Sequence, residues 1–214
     1  MIALTDVFAV AGVSLALCAG ALSLRRFGRH KNFALSLWVK GLLLALFIAL
    51  LIPKSGANIP LAAFFRGFTG DFSITLLALS FLSLCHRLFG TAAVNKRELK
   101  VLMVLVFAGA LLLYPTALGL RNWDAYRLGW GSWWFLAALL LMCVASLWAQ
   151  VYVVPSLTAL ALLAWSFGLM ESGNLWDYLL DPWLSAFAFA YVVIKVFIKC
   201  TQFIFRRVAN RSPH

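Results

Sequence analysis

The sequence predicts an all-α fold, a polytopic transmembrane helix bundle of seven spans with the N-terminus outside the membrane and the C-terminus in the cytoplasm. Three observations lead to this prediction: the composition, the lengths of the apolar runs and the distribution of basic residues. Of the 214 residues, 64% are hydrophobic and 12% are charged, and the mean hydropathy is +0.95. A soluble domain has about 25% charged residues, so this chain is too apolar to be one. We expect residues 1–214 to form a single transmembrane domain.

The apolar runs define the spans. A helix needs about 20 mostly apolar residues to cross the roughly 30 Å hydrocarbon core of a bilayer. The run over residues 133–170 would extend about 57 Å as one helix, so we divide it into a hairpin that turns between Gln150 and Pro155. The seven predicted spans cover approximately residues 2–24, 33–53, 72–90, 100–120, 133–150, 155–171 and 183–205.

Local signals mark some helix ends. Asp181 before Pro182 is typical of an N-cap followed by proline at the first helical position, and Ser132 is a second expected N-cap. Pro115 should kink the fourth span near its outer end. The polar interval between the second and third spans contains an amphipathic stretch, residues 59–68, that we expect to form a short helix in the membrane interface.

Basic residues are distributed unequally between the two sides of this arrangement. Lys and Arg are retained on the cytoplasmic side of membrane proteins. Eleven lie on the side that we assign to the cytoplasm: Arg25, Arg26, Arg29, Lys31, Arg87, Lys96, Lys100, Arg97, Arg206, Arg207 and Arg211. Four lie outside: Lys54, Arg66, Arg121 and Arg127. The net charge of +11 is therefore an orientation signal, and we expect no nucleic-acid partner.

Acidic and aromatic residues gather on the opposite side. Six of the seven acids, all but Glu98, fall outside. Tryptophan prefers the headgroup level of a membrane, and six of the nine tryptophans map to the outer interface: Trp123, Trp130, Trp133, Trp134, Trp176 and Trp183. The outer surface is therefore predicted to be acidic and rich in aromatic side chains.

The remaining inventory excludes several classes of protein. The four cysteines lie within spans or at their cytoplasmic ends, so disulfide exchange on the oxidising side is not expected. The three histidines lie on the inner side, so none is placed deep in a span to ligate haem, and no carboxylate lies in the middle of a span to relay protons. Neither GxSxG nor HExxH occurs in the chain. We expect no catalytic residue, no cofactor and no resident metal.

Three outer loops, FRGFTGDFS, RNWDAYRLGWGS and ESGNLWDYLLDP, combine acids with aromatic residues. They are either solvated interface loops or a shallow site at the outer leaflet. In a site, the acids would accept hydrogen bonds or bind a cation such as Mg²⁺ or Ca²⁺, and the arginines would bind a phosphate or carboxylate. The candidate binding residues in these loops are Arg66, Asp71, Asp124, Arg127, Asp177 and Asp181.

Lys195 and Lys199 are two further candidates, in the last span. They share a helical face with Gln202 and Arg206 because their spacings are three and four residues. The Lys199 side chain can extend to the inner headgroups. Lys195 lies about 16 Å from Arg206 along an ideal helix, which is too far for this, so we expect it to face the bundle or a lipid phosphate. The alternative is a basic stripe that binds an anionic lipid headgroup.

One stretch carries a family resemblance. FRGFTGDFS, at the entry to a span, is similar to an FxxGLRFDLS-like stretch in the membrane domains of lipoteichoic acid synthase and phosphoethanolamine transferase relatives. The resemblance implies a role near lipid headgroup phosphates outside the bacterial cytoplasmic membrane. Those enzymes carry a large extracytoplasmic catalytic domain, for which the longest polar interval of this chain leaves no room. YPTALGL and LWDYLLDP also resemble small bacterial inner-membrane proteins of unassigned activity.

We therefore expect a multi-pass protein of the bacterial inner membrane. Its expected function is that of a non-catalytic subunit that binds a lipid headgroup or a partner protein in cell-envelope assembly. The alternative is an enzyme or flippase that acts on a lipid-linked phosphate substrate at the outer leaflet, and a proton-coupled transporter ranks third. The expected partners are membrane lipids and another membrane or periplasmic envelope protein.

Overall fold

The computed structural model describes residues 4–24, 36–53, 59–120 and 122–209, and these residues are helical with no β-strand. The α-helices are α1 (Leu4–Leu24), α2 (Leu37–Leu51), α3 (Leu61–Thr69), α4 (Ile74–Phe89), α5 (Lys96–Ala117), α6 (Trp133–Trp148), α7 (Val153–Ser166), α8 (Leu175–Leu179) and α9 (Pro182–Ala209). A 3₁₀ helix, Ala125–Gly129, lies between α5 and α6.

Three of these helices are long and apolar enough to cross a membrane: α1, α5 and α9. Four more are apolar but shorter, namely α2, α4, α6 and α7, with 14 to 16 residues each. Sixteen residues rise about 24 Å, less than the hydrocarbon thickness of a bilayer. The prediction of an all-helical fold is therefore confirmed for the described residues, and three of their helices could span a membrane. The seven spans and their orientation stay a prediction.

The short helices have identifiable ends. Ser73 caps α4 by accepting a hydrogen bond from the Leu76 N–H at 3.1 Å, and Gly90 ends the helix in the left-handed conformation with φ of 72°. The α7 helix ends at Ser166, before Gly168 with φ of 59°. This glycine stops α7 five residues earlier than the predicted span 155–171, because a left-handed residue terminates the helical hydrogen-bond ladder.

The predicted break in the run over residues 133–170 is present. α6 ends at Trp148 and α7 begins at Val153, and Gln150 between them has a positive φ of 56°. The start of α5 braces this turn: Arg97 donates to the Ala149 carbonyl at 3.0 Å, and Glu98 accepts from the Tyr152 N–H at 2.7 Å. Pro155 falls in the first turn of α7, where its missing N–H costs no hydrogen bond.

The other local predictions have mixed outcomes. Asp181 caps α9 as expected, whereas Ser132 occupies the N-cap position of α6 without a side-chain hydrogen bond. α5 continues through Pro115 and ends two residues later. The amphipathic stretch forms α3, whose Phe64 and Phe68 are exposed while other residues of the helix pack on α1.

Two hydrophobic clusters form the core. The larger cluster contains residues from each of the helices α4 through α9, among them Met103, Leu157, Tyr178 and Leu184. The smaller packs α1 against α2, α3 and α4. Gly12 lets α1 approach α4 closely, since a Cβ there would lie 2.8 Å from Leu77. Large apolar side chains remain exposed on α2, α6 and α9, which is compatible with a lipid-facing surface.

Candidate functional site

Arg66 organises a group of charged side chains at one end of the bundle. Its guanidinium donates from Nε to Asp71 Oδ1 at 2.5 Å, from Nη1 to Asp6 Oδ1 at 2.7 Å and from Nη2 to Glu171 Oε1 at 2.7 Å. Nη2 also reaches Asp71 Oδ2 at 3.2 Å, which makes that pair bidentate. We call these four residues the Arg66 cluster. It connects α3 to the first turn of α1 and to the loop after α7.

The cluster is rich in negative charge, with three carboxylates around one guanidinium. The hydrogen bonds to Asp71 raise the pKa of Arg66 further above its ordinary value, and those to Asp6 and Glu171 add to the effect. Four of the five guanidinium N–H donors are already used within the chain, and the side chain is 17% exposed. Arg66 therefore has little capacity left for the external phosphate that the sequence suggested.

Asp71 also faces a small cavity beside the cluster. The cavity has a volume of about 190 Å³ and is lined by Asp71, Asp177 and Asp181 together with Met170, Ser172, Leu180 and Pro182. We call it the acidic pocket. Its walls come from the turn before α4, the loop after α7, α8 and the start of α9. They combine aspartates with apolar side chains. Arg66 does not line the pocket but is hydrogen-bonded to Asp71 in its wall.

Asp181 is the most deeply buried acid of the pocket, with 3% of its surface exposed. Oδ2 accepts from the Ser73 N–H at 3.0 Å and from the Ser73 hydroxyl at 2.6 Å. Oδ1 accepts from the Leu184 N–H at 2.8 Å and thereby caps α9. The same carboxylate therefore holds the first turns of α4 and α9 side by side.

Asp177 is held by a second set of donors. It accepts a hydrogen bond from the Tyr126 hydroxyl at 2.8 Å and a short one from the Ser172 hydroxyl. Burial raises the pKa of Tyr126, and the hydrogen bond and charge of Asp177 raise it further. Tyr126 is thus a proton donor to this carboxylate at neutral pH.

The 3₁₀ helix reaches the pocket because it docks tightly on α8. Asn174 donates to the Tyr126 carbonyl at 2.9 Å, and the Trp176 indole donates to the Ala125 carbonyl at 2.9 Å. A Cβ at Gly129 would lie 1.7 Å from Asn174 Oδ1, so no larger residue fits there. Trp176, which the sequence predicts at the level of the outer interface, is buried within the protein against Phe135, with ring centroids 4.3 Å apart.

The structure brings together some of the predicted site residues and separates others. Asp71, Asp177 and Asp181 line one pocket, with Arg66 adjacent. Asp124 lies outside the pocket lining and caps the 3₁₀ helix by accepting from the Tyr126 N–H at 2.9 Å. Arg127 is exposed and also lies outside the lining. Arg121 falls outside the described residues.

The two lysine candidates are remote from this site. Lys195 and Lys199 are exposed on α9, and Lys195 is about 20 Å along the helix from Pro182. They belong to a separate surface.

Sequence reasoning missed several residues that shape the pocket, chiefly Ser73, Tyr126, Ser172 and Asn174. Ser73 and Asn174 occupy N-cap positions, which is a signal that the sequence offers. No local pattern indicates that the Tyr126 hydroxyl reaches Asp177, because the two residues are 51 positions apart.

The chemistry of the pocket follows from its donors and acceptors. Three of the seven residues that line the cavity are aspartates, so it suits a ligand that donates hydrogen bonds or carries positive charge better than a bare phosphate. Within the described parts of the chain, no group of three or more His, Cys, Asp and Glu side chains is arranged to hold a metal ion. A cavity of about 190 Å³ has the volume of about six waters in the liquid, which is enough for a small headgroup.

No family model matches this chain, and neither a curated protein nor a solved structure matches it. The pocket geometry is therefore the basis on which a function is proposed.

Proposed function

We propose that this chain is a seven-span protein of the bacterial inner membrane whose acidic pocket binds an amine-bearing lipid headgroup, as a non-catalytic subunit in cell-envelope assembly. In this proposal the N-terminus and the pocket are outside and the C-terminus is in the cytoplasm. Support for the membrane setting comes from three long and four shorter apolar helices and from the unequal distribution of basic residues.

The observation that carries the proposal is the composition of the acidic pocket. Three aspartates line a cavity whose other lining residues are mostly apolar, and the adjacent guanidinium of Arg66 is occupied by carboxylates. A primary ammonium group would donate hydrogen bonds to these oxygens, and the carbon atoms beside it would contact Met170 and Leu180.

The position of α3 also supports a lipid ligand. This helix exposes Phe64 and Phe68, and its Arg66 is bonded to Asp71 at the pocket wall. An amphipathic helix with exposed aromatic residues is typical of a segment that lies at a membrane interface. A headgroup at that level would be beside the pocket.

A binding role fits the carboxylates better than a catalytic one. Asp181 accepts three hydrogen bonds and Asp177 two from the chain's own donors. These bonds hold the oxygens in place, as a recognition site requires. No cysteine or histidine lines the pocket.

The test is selective lipid retention by the full-length protein. We would reconstitute it in vesicles that contain equal amounts of phosphatidylethanolamine and phosphatidylglycerol, repurify it in mild detergent and quantify the bound lipids. We expect phosphatidylethanolamine to be enriched, and Asp177→Asn to reduce the enrichment about tenfold, as loss of one charge-assisted hydrogen bond predicts. Asp124→Asn is the matched control, because it changes the same charge outside the pocket.

Three outcomes would contradict the proposal. One is the absence of any ethanolamine preference in the wild-type protein, and another is an equal loss in both variants. The third concerns orientation: a reporter fused after His214 should be cytoplasmic, and an extracytoplasmic reporter would overturn the proposed topology. If Asp177→Asn instead releases a stoichiometric protein and leaves lipid retention unchanged, the pocket binds a partner protein.

A further inference from the structure

The C-terminal half of α9 presents two lysines on an otherwise apolar surface. Lys195 and Lys199 are four residues apart, so they lie on one face of the helix. Residues 193–200 are all exposed, and those between and around the lysines are Val193, Ile194, Val196, Phe197 and Ile198. By contrast, the N-terminal part of α9 contributes Leu184 and Ala188 to the core.

Among the residues that the structure describes, Lys195 and Lys199 have no side-chain carboxylate partner. The three ion pairs among the described residues all belong to Arg66. Each of the seven acidic side chains accepts its hydrogen bonds from groups other than Lys195 and Lys199. These acids are Asp6, Asp71, Glu98, Asp124, Glu171, Asp177 and Asp181. The Lys195 ammonium lies 5.7 Å from the centroid of the Tyr191 ring, a contact that offers no negative charge. An anionic group of another molecule could therefore serve as their counter-ion.

The depth of the lysines makes that counter-ion important. The apolar part of α9 that could cross a membrane is Pro182–Phe203, which rises about 33 Å. Lys199 is about 6 Å and Lys195 about 12 Å from its C-terminal end. Lys199 can extend its ammonium to the headgroup level. Lys195 is a helical turn deeper, where an uncompensated ammonium is costly.

We propose that Lys195 and Lys199 together bind the phosphate of an anionic phospholipid in the leaflet nearest the C-terminal end of α9. The apolar residues around them would contact the acyl chains of that lipid. Charge complementarity favours this occupant, because the chain has no acidic residue after Asp181 and has further arginines at positions 206, 207 and 211. The proposal is independent of the acidic pocket, which lies at the other end of α9.

The experiment compares spin-labelled lipids around the full-length protein in phosphatidylcholine vesicles. The fraction of motionally restricted label measures association, and we expect phosphatidylglycerol to associate about fivefold more strongly than phosphatidylcholine. The double variant Lys195→Gln/Lys199→Gln should lose most of this preference. The double variant Lys96→Gln/Lys100→Gln is the matched control, because it removes two exposed lysines with the same spacing at the start of α5.

Thermal unfolding of both double variants checks that they remain folded. An absent phosphatidylglycerol preference in the wild-type protein would overturn the proposal, as would an equal loss in both double variants, which indicates general electrostatic attraction. If the α9 variant releases a membrane protein and keeps its lipid preference, these lysines bind a protein instead. Asp177→Asn should leave the phosphatidylglycerol preference unchanged, so failure of the pocket proposal and failure of this one are separable.

Discussion

Removing the Asp181 carboxylate tests whether this buried residue joins two helices. In Asp181→Ala, the Ser73 N–H, the Ser73 hydroxyl and the Leu184 N–H lose their shared acceptor. Loss of an N-cap costs about 1 kcal/mol, and a buried donor without a partner costs about 1–3 kcal/mol. The hydroxyl can rotate, so we count one cap and one buried N–H and expect a loss of about 3 kcal/mol.

The assay uses the protein's own cysteines. After a non-fluorescent thiol reagent has blocked the cysteines that are accessible in the folded protein, such as the exposed Cys200, a thiol-reactive dye in detergent reports the temperature at which the buried Cys18 becomes accessible. For a domain of this size, 1 kcal/mol corresponds to about 2–4 °C in Tm, so Asp181→Ala should lower Tm by about 6–12 °C. Asp181→Asn should lower Tm less than Asp181→Ala, because the amide oxygen still accepts one of these hydrogen bonds. It should still lower Tm somewhat, because the amide NH₂ group places a donor next to a backbone or hydroxyl donor.

Asp124→Ala is the control, because Asp124 caps only the short 3₁₀ helix, through a single hydrogen bond to the Tyr126 N–H. Its expected loss is about 1 kcal/mol or less. If the Tm of Asp181→Ala is within 2–3 °C of that of Asp124→Ala, about the effect of 1 kcal/mol, then the buried carboxylate does not join α4 to α9 and the reasoning fails.

Three further predictions concern the surroundings of the pocket. Gly129→Ala should lower Tm by at least about 5 °C, because its Cβ would lie 1.7 Å from Asn174 Oδ1. Gly67→Ala is the control and should not lower Tm, since the space around Gly67 is open. Equal effects of the two substitutions would contradict the docking of the 3₁₀ helix on α8. Arg66→Gln should cost about 2 kcal/mol near neutral pH, because it leaves three carboxylates without a counter-charge. This loss corresponds to a fall in Tm of about 4–8 °C, and an unchanged Tm would count against this explanation. Tyr126→Phe should remove one tyrosine that ionises above the ordinary pKa of about 10, seen in the near-ultraviolet absorbance difference between the variant and the wild-type protein during a pH titration. The stability that comes from the raised pKa of Tyr126 is fully present below about pH 10 and is lost as the pH rises through the pKa of the folded protein.

The sequence was most informative where the signal was local, although Ser132 makes no capping hydrogen bond. The break between α6 and α7 and the cap of α9 were both predicted from residues within a few positions of each site. Helix ends depend on which nearby groups satisfy the terminal N–H and C=O groups, so Asp181 and Pro182 together specify the start of α9. The exact lengths were less accessible, as Gly168 shows by ending α7 early.

The candidate site was predicted in part. Asp71, Asp177 and Asp181 were among the candidates and do line one pocket. Asp124 looks equivalent in the sequence, yet it is used as a local cap. Which acid faces the pocket depends on the direction in which each short helix leaves its loop, and tertiary packing sets that direction. The occupation of Arg66 by Asp6 and Glu171, 60 and 105 positions away, is likewise invisible in a linear pattern.

Composition, hydropathy and cap residues thus determined that the chain forms apolar helices, and where several of them begin and end, because these properties depend on neighbours along the chain. Only the tertiary structure decided that Arg66 is shared among three carboxylates, that Trp176 is buried and that Tyr126 donates to Asp177. The physical reason is that charges and hydrogen-bond donors pair by distance in space. Helices that are adjacent in the bundle bring together residues that the sequence keeps far apart.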